Sequence, residues 1–125
     1  MSWSFTIPGQ PLSGNHAYRI GKGYRRGGIS YPRIIKTAEE EAYQQGIALL
    51  ARTARPSGWY WGPGQMVICE YRFYVWDDID CTNAIKVIED GIFPALDIND
   101  TWALPRAISK EIVPKSQARV EVTIR

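Results

Sequence analysis

The chain has 125 residues (14.2 kDa), 45% of them apolar and 22% charged, and its 15 Lys+Arg against 13 Asp+Glu leave a formal net charge of +2. These are ordinary globular values, so a disordered polymer is excluded; two cysteines make no disulfide framework, and no apolar run approaches the roughly 20 residues that span a bilayer. No basic segment followed by a long apolar core opens the chain, so a secretory signal is not expected and a reducing compartment is; one domain over residues 1–125 suits the length.

Ser2 to Ile7 alternates Trp3, Phe5 and Ile7 with polar neighbours, the period of a half-buried strand, and Pro8-Gly9 and Pro11 break it. Tyr18 to Lys36 follows as a mobile, glycine-bearing loop in this reading. Thr37 with Glu40 three residues later forms a capping box opening a helix, whose stripe of Tyr43, Ile47, Leu50 and Ala54 ends before Pro56. Pro56 to Gly64 is a loop, and its Trp59-Tyr60-Trp61 run suits base stacking or a dimer contact. Met66 to Trp76 is the strongest strand. Asn83 to Phe93 carries Ile85, Ile88 and Ile92 on one face and should stop at Pro94. Ala107 to Val113 and Arg119 to Ile124 are closing strands. The order β-α-β-α-β-β, without repeats, predicts one small α+β domain: a mixed β-sheet with two main helices packed against it.

The near-neutral total conceals two opposed halves. Residues 1–60 carry +5 and residues 61–125 carry −3. Between Tyr18 and Lys36 lie Arg19, Lys22, Arg25, Arg26, Arg33 and Lys36 without one acid, with Tyr18, Tyr24 and Tyr31 interleaved. Cations attract phosphates, tyrosine rings stack on unpaired bases, and glycines let a backbone follow a polyanion. A solvated surface loop is the other reading of the same run.

The acids cluster as Asp77, Asp78, Asp80, Glu89, Asp90, Asp97 and Asp100, with Lys86 the one cation among them. Asp78 and Asp80 are two residues apart after a long strand, so in extended geometry both carboxylates face one side. Such close like charges repel unless a cation sits between them, and Mg²⁺ suits hard oxygen donors that share it with substrate phosphates. Capping of the next helix is the competing account, and Asp97 and Asp100 lie beyond that helix. Lys86 has two roles open to it: a surface i,i+4 pair with Asp90, or a cation beside a phosphoryl group. His16 is either a phosphate contact or a loop residue, and Cys81, with no His or Cys partner, makes no zinc site.

Asp78-Ile79-Asp80, Asn83 to Lys86, Asp90-Gly91 and Asn99-Asp100 resemble, in this order, the signature of RusA-type Holliday junction resolvases. Phe5 to Pro11 with Asn15 and Tyr18-Arg19 is similar to that family's opening strand and Pro-x-x-x-Asn loop. Pro32 to Glu41 is similar to its approach to the first helix, and the Lys110 strand with the valine-rich last strand to its ending. Cys81-Thr82 stand where the family has Asn directly after the second Asp, and Asn99 stands where two acids are common, with Asp97 as the alternative carboxylate.

The resemblance implies a homodimeric, Mg²⁺-dependent endodeoxyribonuclease, with Mn²⁺ as a substitute. It would make paired nicks in four-way DNA junctions during recombination and repair, in the cytoplasm of a bacterial host, and be phage or prophage encoded. Asp78, Asp80 and Asp100 would be the metal-binding catalytic residues and Lys86 the essential lysine. Asn15, Arg19, Lys22, Arg25, Arg26, Arg33, Lys36 and Lys110 would contact DNA. Two rival classes are a branched-DNA-binding module that does not cut and a phage-assembly protein of the same fold.

Overall fold

The computed structural model describes residues 2–13, 18–26 and 29–125, with side chains described for 2–13 and 36–125. The elements are β1 (Trp3–Pro8), β2 (Tyr18–Arg26), β3 (Ile29–Lys36), α1 (Ala38–Ala54), β4 (Val67–Val75), α2 (Cys81–Leu96), β5 (Ala103–Ile112) and β6 (Arg119–Ile124). Single 3-10 turns at Asp100–Trp102 and Lys115–Gln117 flank β5. Apart from the hairpin β2–β3, which forms its own two-stranded sheet, the order is the expected one.

The main sheet runs β1-β6-β4-β5, with β6 antiparallel to both β1 and β4, and β4 parallel to β5. Alternation decides its faces. Trp3, Phe5 and Ile7 on β1, Val120, Val122 and Ile124 on β6, and the odd-numbered residues of β4 are all buried. Ile47 and Ala51 from α1 and Ala84, Ile85, Ile88 and Ile92 from α2 belong to the same cluster, so both helices cover one sheet face. Truncating a fully buried side chain such as Ile88 to Ala removes about 2–5 kcal/mol. Among the described residues no helix is long and apolar enough to cross a membrane.

Thr37 caps α1 as its spacing predicts, its side chain accepting from the Glu40 N–H at 3.1 Å. The helices approach closely where α2 carries Gly91. A Cβ there would lie 3.0 Å from the Gln44 carbonyl oxygen and 3.2 Å from Ile47 Cβ.

Four expectations are corrected. Tyr18 to Lys36 is an antiparallel hairpin with an irregular register between Gly21 and Tyr24, rather than a mobile loop. Its β-branched and aromatic residues win over its glycines, and Pro32 is tolerated because a two-stranded ribbon consists of edges. The second helix starts at Cys81, two residues before Asn83, and continues through Pro94 to Leu96. Proline removes one N–H near a helix end already short of bonds, so the last turn survives. Asp97, at φ 54°, reverses the chain there, and the Ile98 N–H bonds the Phe93 carbonyl at 3.0 Å.

β5 starts at Ala103, four residues earlier than expected, and runs through Pro105, which a sheet edge accepts. In the aromatic loop, Trp59 meets Trp3 edge-to-face at 5.4 Å and Trp61 packs on the core, donating to the Gln65 carbonyl at 2.7 Å. Only Tyr60 of that run is largely exposed.

Candidate functional site

Two charged clefts border α2, one at its N-terminal end and one along its length. The first, about 490 Å³, is lined by Gln10, Ser13, Asp77, Asp78 and Asp80 among others. Gln10 ties the segment after β1 to the segment after β4: its Nε2 donates to the Asp77 carbonyl at 2.9 Å, and its Oε1 accepts from the Trp76 N–H at 3.0 Å. β4 ends at Val75, so Asp78 and Asp80 share the cleft through this tethered segment and not through strand pleating.

Lys110, on β5, donates from Nζ to Asp78 Oδ1 at 2.6 Å. That bond holds the Asp78 carboxyl below the usual carboxylate range and raises Lys110 in return. Asp80 is the N-cap of α2, its Oδ1 accepting from the Thr82 and Asn83 N–H groups at 2.9 and 3.4 Å. Helix capping is therefore a real role of Asp80. Both bonds use Oδ1, so Oδ2 takes no part in the cap. Burial raises the neighbouring Cys81 thiol, with Lys110 opposing and Asp80 and Asp78 adding, so it is no ready nucleophile.

The second cleft runs along α2 between Lys86, Glu89, Asp90 and Asp100, about 250 Å³, and adjoins a space of about 480 Å³ that Lys36 also lines. The Tyr71 hydroxyl donates to Glu89 Oε2 at 2.9 Å. Burial pushes the Glu89 carboxyl up to about 7, against the Tyr71 bond and with help from Asp90 and Asp100. Nearby, Glu40 is fully buried and neither carboxylate oxygen has a hydrogen-bond partner; Lys36 Nζ stands 3.9 Å away and is bonded to Gln44 Oε1 at 2.8 Å. Burial raises the Glu40 carboxyl, with Lys36 opposing and Asp90 adding.

The expected site residues thus divide. Asp78, Asp80 and Lys110 are together; Lys86 and Asp100 belong to the other cleft with Asp90. Register explains the division. Asp100 precedes Ala103, which pairs with Val67, whereas Asp78 and Asp80 follow Val75, which pairs with Ile112. Those strand ends are about 26 Å apart at roughly 3.3 Å per residue. Asn99 spends its Oδ1 on the Thr101 N–H and hydroxyl, at 3.1 and 2.9 Å, and Asp97 closes α2.

Of the expected DNA contacts, Asn15, and His16 beside it, lie outside the described residues. Arg19, Lys22, Arg25 and Arg26 fall on β2 and Arg33 on β3. Glu40 and Tyr71 are the site groups that residue spacing missed, and Glu89, counted among the clustered acids, was given no role of its own. Glu40 sits on the same helical stripe as Gln44, Ile47 and Ala51, which was the available signal.

Among the described residues no three His, Cys, Asp or Glu side chains gather to hold a metal ion. The Asp78–Asp80 pair alone is a hard-oxygen donor set, and one or two carboxylates plus substrate phosphates is the usual manner of Mg²⁺ binding. The pair fits that mode; a three-aspartate site within one chain does not form. No protein-family model matches the chain, and no curated protein does.

Proposed function

We propose that this chain is a Mg²⁺-dependent endodeoxyribonuclease that nicks four-way DNA junctions as a homodimer. The observation that carries the reading is that Asp78 and Asp80 line one open cleft beside the Lys110 ammonium. The resemblance of the Asp78–Asp80, Lys86, Asp90 and Asp100 order to the RusA-type signature supports it. So does the cationic hairpin Tyr18–Lys36, whose six basic residues have three tyrosines interleaved, the composition of a phosphate-gripping, base-stacking arm. Action in a bacterial cytoplasm and a phage or prophage origin belong to the same proposal.

Phosphodiester hydrolysis needs an in-line water and neutralisation of charge on the phosphoryl group. A Mg²⁺ ion shared between Asp78, Asp80 and a substrate phosphate would supply Lewis-acid neutralisation of that charge. Lys110 keeps Asp78 ionised and stands where it can also meet a non-bridging oxygen. Asp80 keeps its orientation through two backbone N–H bonds, so its carboxylate is fixed before substrate arrives. Lys86, exposed on α2, is a cation for the adjacent phosphate of the bound strand.

The test is a labelled synthetic junction incubated with Mg²⁺ or EDTA, with wild type and Asp80→Asn. Asparagine is as good an N-cap as aspartate, so the variant keeps α2 and loses the charge. Nicking should require Mg²⁺ and disappear in the variant while junction binding persists. Undiminished nicking by Asp80→Asn overturns the reading.

A further inference from the structure

Trp59 and Trp61, the indoles expected to stack on bases, are drawn against the core, whereas Trp76 is 44% exposed. Its place follows from the pleat: Val75 ends β4 facing the core, so the next side chain turns outward. There Trp76 is, among the described residues, the one aromatic ring lining the cleft of Asp78 and Asp80. Pro11, Leu12 and Ile79 line the same cleft. Oxygen donors suffice for a metal and a phosphate, so an apolar wall beside them calls for a second, uncharged part of the ligand.

The indole stands on a fixed backbone. The Val75 carbonyl accepts from the Val113 N–H at 2.9 Å, and the Trp76 N–H donates to Gln10 Oε1 at 3.0 Å. Lys115 Nζ stands over one face of the ring, 5.3 Å from its centroid. A lysine–tryptophan pair at an exposed position is a weak contact and supplies no reason for a large apolar ring beside two carboxylates.

We propose that Trp76 is a stacking platform for one unpaired nucleobase of the DNA strand whose phosphate is held at Asp78 and Asp80, and that it selects branched over continuous duplex DNA. The inference rests on the nuclease reading and names the part of the substrate that the cleft's apolar wall takes. A base is planar and uncharged, so it suits an indole beside carboxylates that repel any anion not carried by a metal. Trp76 precedes Asp78 by two residues, at most about 7 Å between Cα atoms, so base and phosphate belong to one nucleotide or to neighbours. The cleft's 490 Å³ lies within the roughly 300–1,000 Å³ of small-molecule sites. Lys115 supplies a cation for the phosphodiester beside that base.

Selection follows from the cost of freeing a base. In continuous duplex every base is paired and stacked, and extruding one costs about what the indole returns. At a branch point stacking is interrupted, so the same contact is made at less cost. Every base has a π face, so the platform reads branching and not sequence.

Fluorescence anisotropy with Ca²⁺ in place of Mg²⁺ tests this first on the unmodified protein. A labelled synthetic four-way junction is compared with one whose branch-point nucleotides are abasic, and with linear duplex. Removing the bases should weaken junction binding at least about fivefold, the low end for one base–aromatic stack. Trp76→Leu keeps an apolar side chain and loses the π face. It should bind the intact junction at least about fivefold more weakly than wild type, bind intact and abasic junctions alike, and bind duplex as wild type does. Trp76→Phe should recover most of the loss. The ring lies outside the core, so folding is spared, and equal melting temperatures check it. A wild type that binds intact and abasic junctions equally overturns the platform, as does a Trp76→Leu protein that still distinguishes them. Nicking of the intact junction in Mg²⁺ leaves the nuclease reading standing in both cases. A wild type that distinguishes the two junctions and never nicks overturns the nuclease reading and keeps Trp76 as a base contact. A wild type that binds the junction no more tightly than duplex overturns the selection.

Discussion

Lys110 and Asp78, 32 residues apart in the chain, meet at 2.6 Å and join the C-terminal part of β5 to the segment that follows β4. Both side chains are substantially exposed, so their importance is one of position and charge more than of stability. Replacing Lys110 by Met should return the Asp78 carboxyl toward its ordinary value, as followed by carboxyl NMR titration. An acid held low in the folded state adds stability above its unfolded value and loses it as pH falls through the folded one. The variant should therefore show a shallower acid limb in the pH–stability curve, being slightly less stable than wild type at neutral pH and equal to it in acid.

Gly91→Ala should destabilise the protein by about 1–3 kcal/mol, read from the shift in urea midpoint at constant slope. The added Cβ would sit 3.0 Å from the Gln44 carbonyl oxygen, which is backbone and cannot swing aside. Gly46→Ala, with nothing within 4 Å, is the control and should be neutral or slightly stabilising.

Glu40→Gln should stabilise the fold at pH 7 by about 1–3 kcal/mol, because it removes a charge from a buried site that offers its carboxylate no hydrogen bond. The wild-type carboxyl is raised by burial, so its contribution is fully present below the unfolded value and is lost as pH rises through the folded one. Chemical denaturation across pH 4 to 8 should show a flatter curve for the variant than for wild type. An equally steep curve would show that Lys36 fully compensates the buried charge.

Glu89, pushed up to about 7, should titrate near neutrality. Tyr71→Phe deletes the hydroxyl that favours the ionised carboxylate, so the Glu89 midpoint should rise further. Folding stability should then fall with rising pH over a window displaced upward, and Glu89→Gln should abolish that window. Carboxyl chemical shifts measured against pH separate the two variants.

Much of the fold was legible because simple periods met simple surroundings. Trp3, Phe5 and Ile7 alternate against a core on one side only, and Thr37 with Glu40 marks a helix start by local bonds alone. The hairpin was obscured because Gly21 and Gly23, read as keeping the backbone mobile, sit in a strand whose pairing tolerates them. Pro94 misled as a helix stop, because it sits in a last turn that survives its missing N–H. The site was harder. Asp78, Asp80 and Asp100 are near neighbours in sequence, but a sixteen-residue helix stands between the pair and the third. Lys110 reaches Asp78 only through the parallel register of β4 and β5, which no local pattern announces. Glu89 and Tyr71 come together because one is on a helix laid across the strand that carries the other.

Pro94 has a consequence for the second cleft. Having no N–H, it cannot donate to the carbonyl of Asp90 four residues earlier, so that oxygen lacks its ordinary helical donor. The backbone thus offers an acceptor beside the Asp90 carboxylate, and no side-chain exchange at position 90 can take it away. Only a residue with an amide hydrogen at position 94 would silence it.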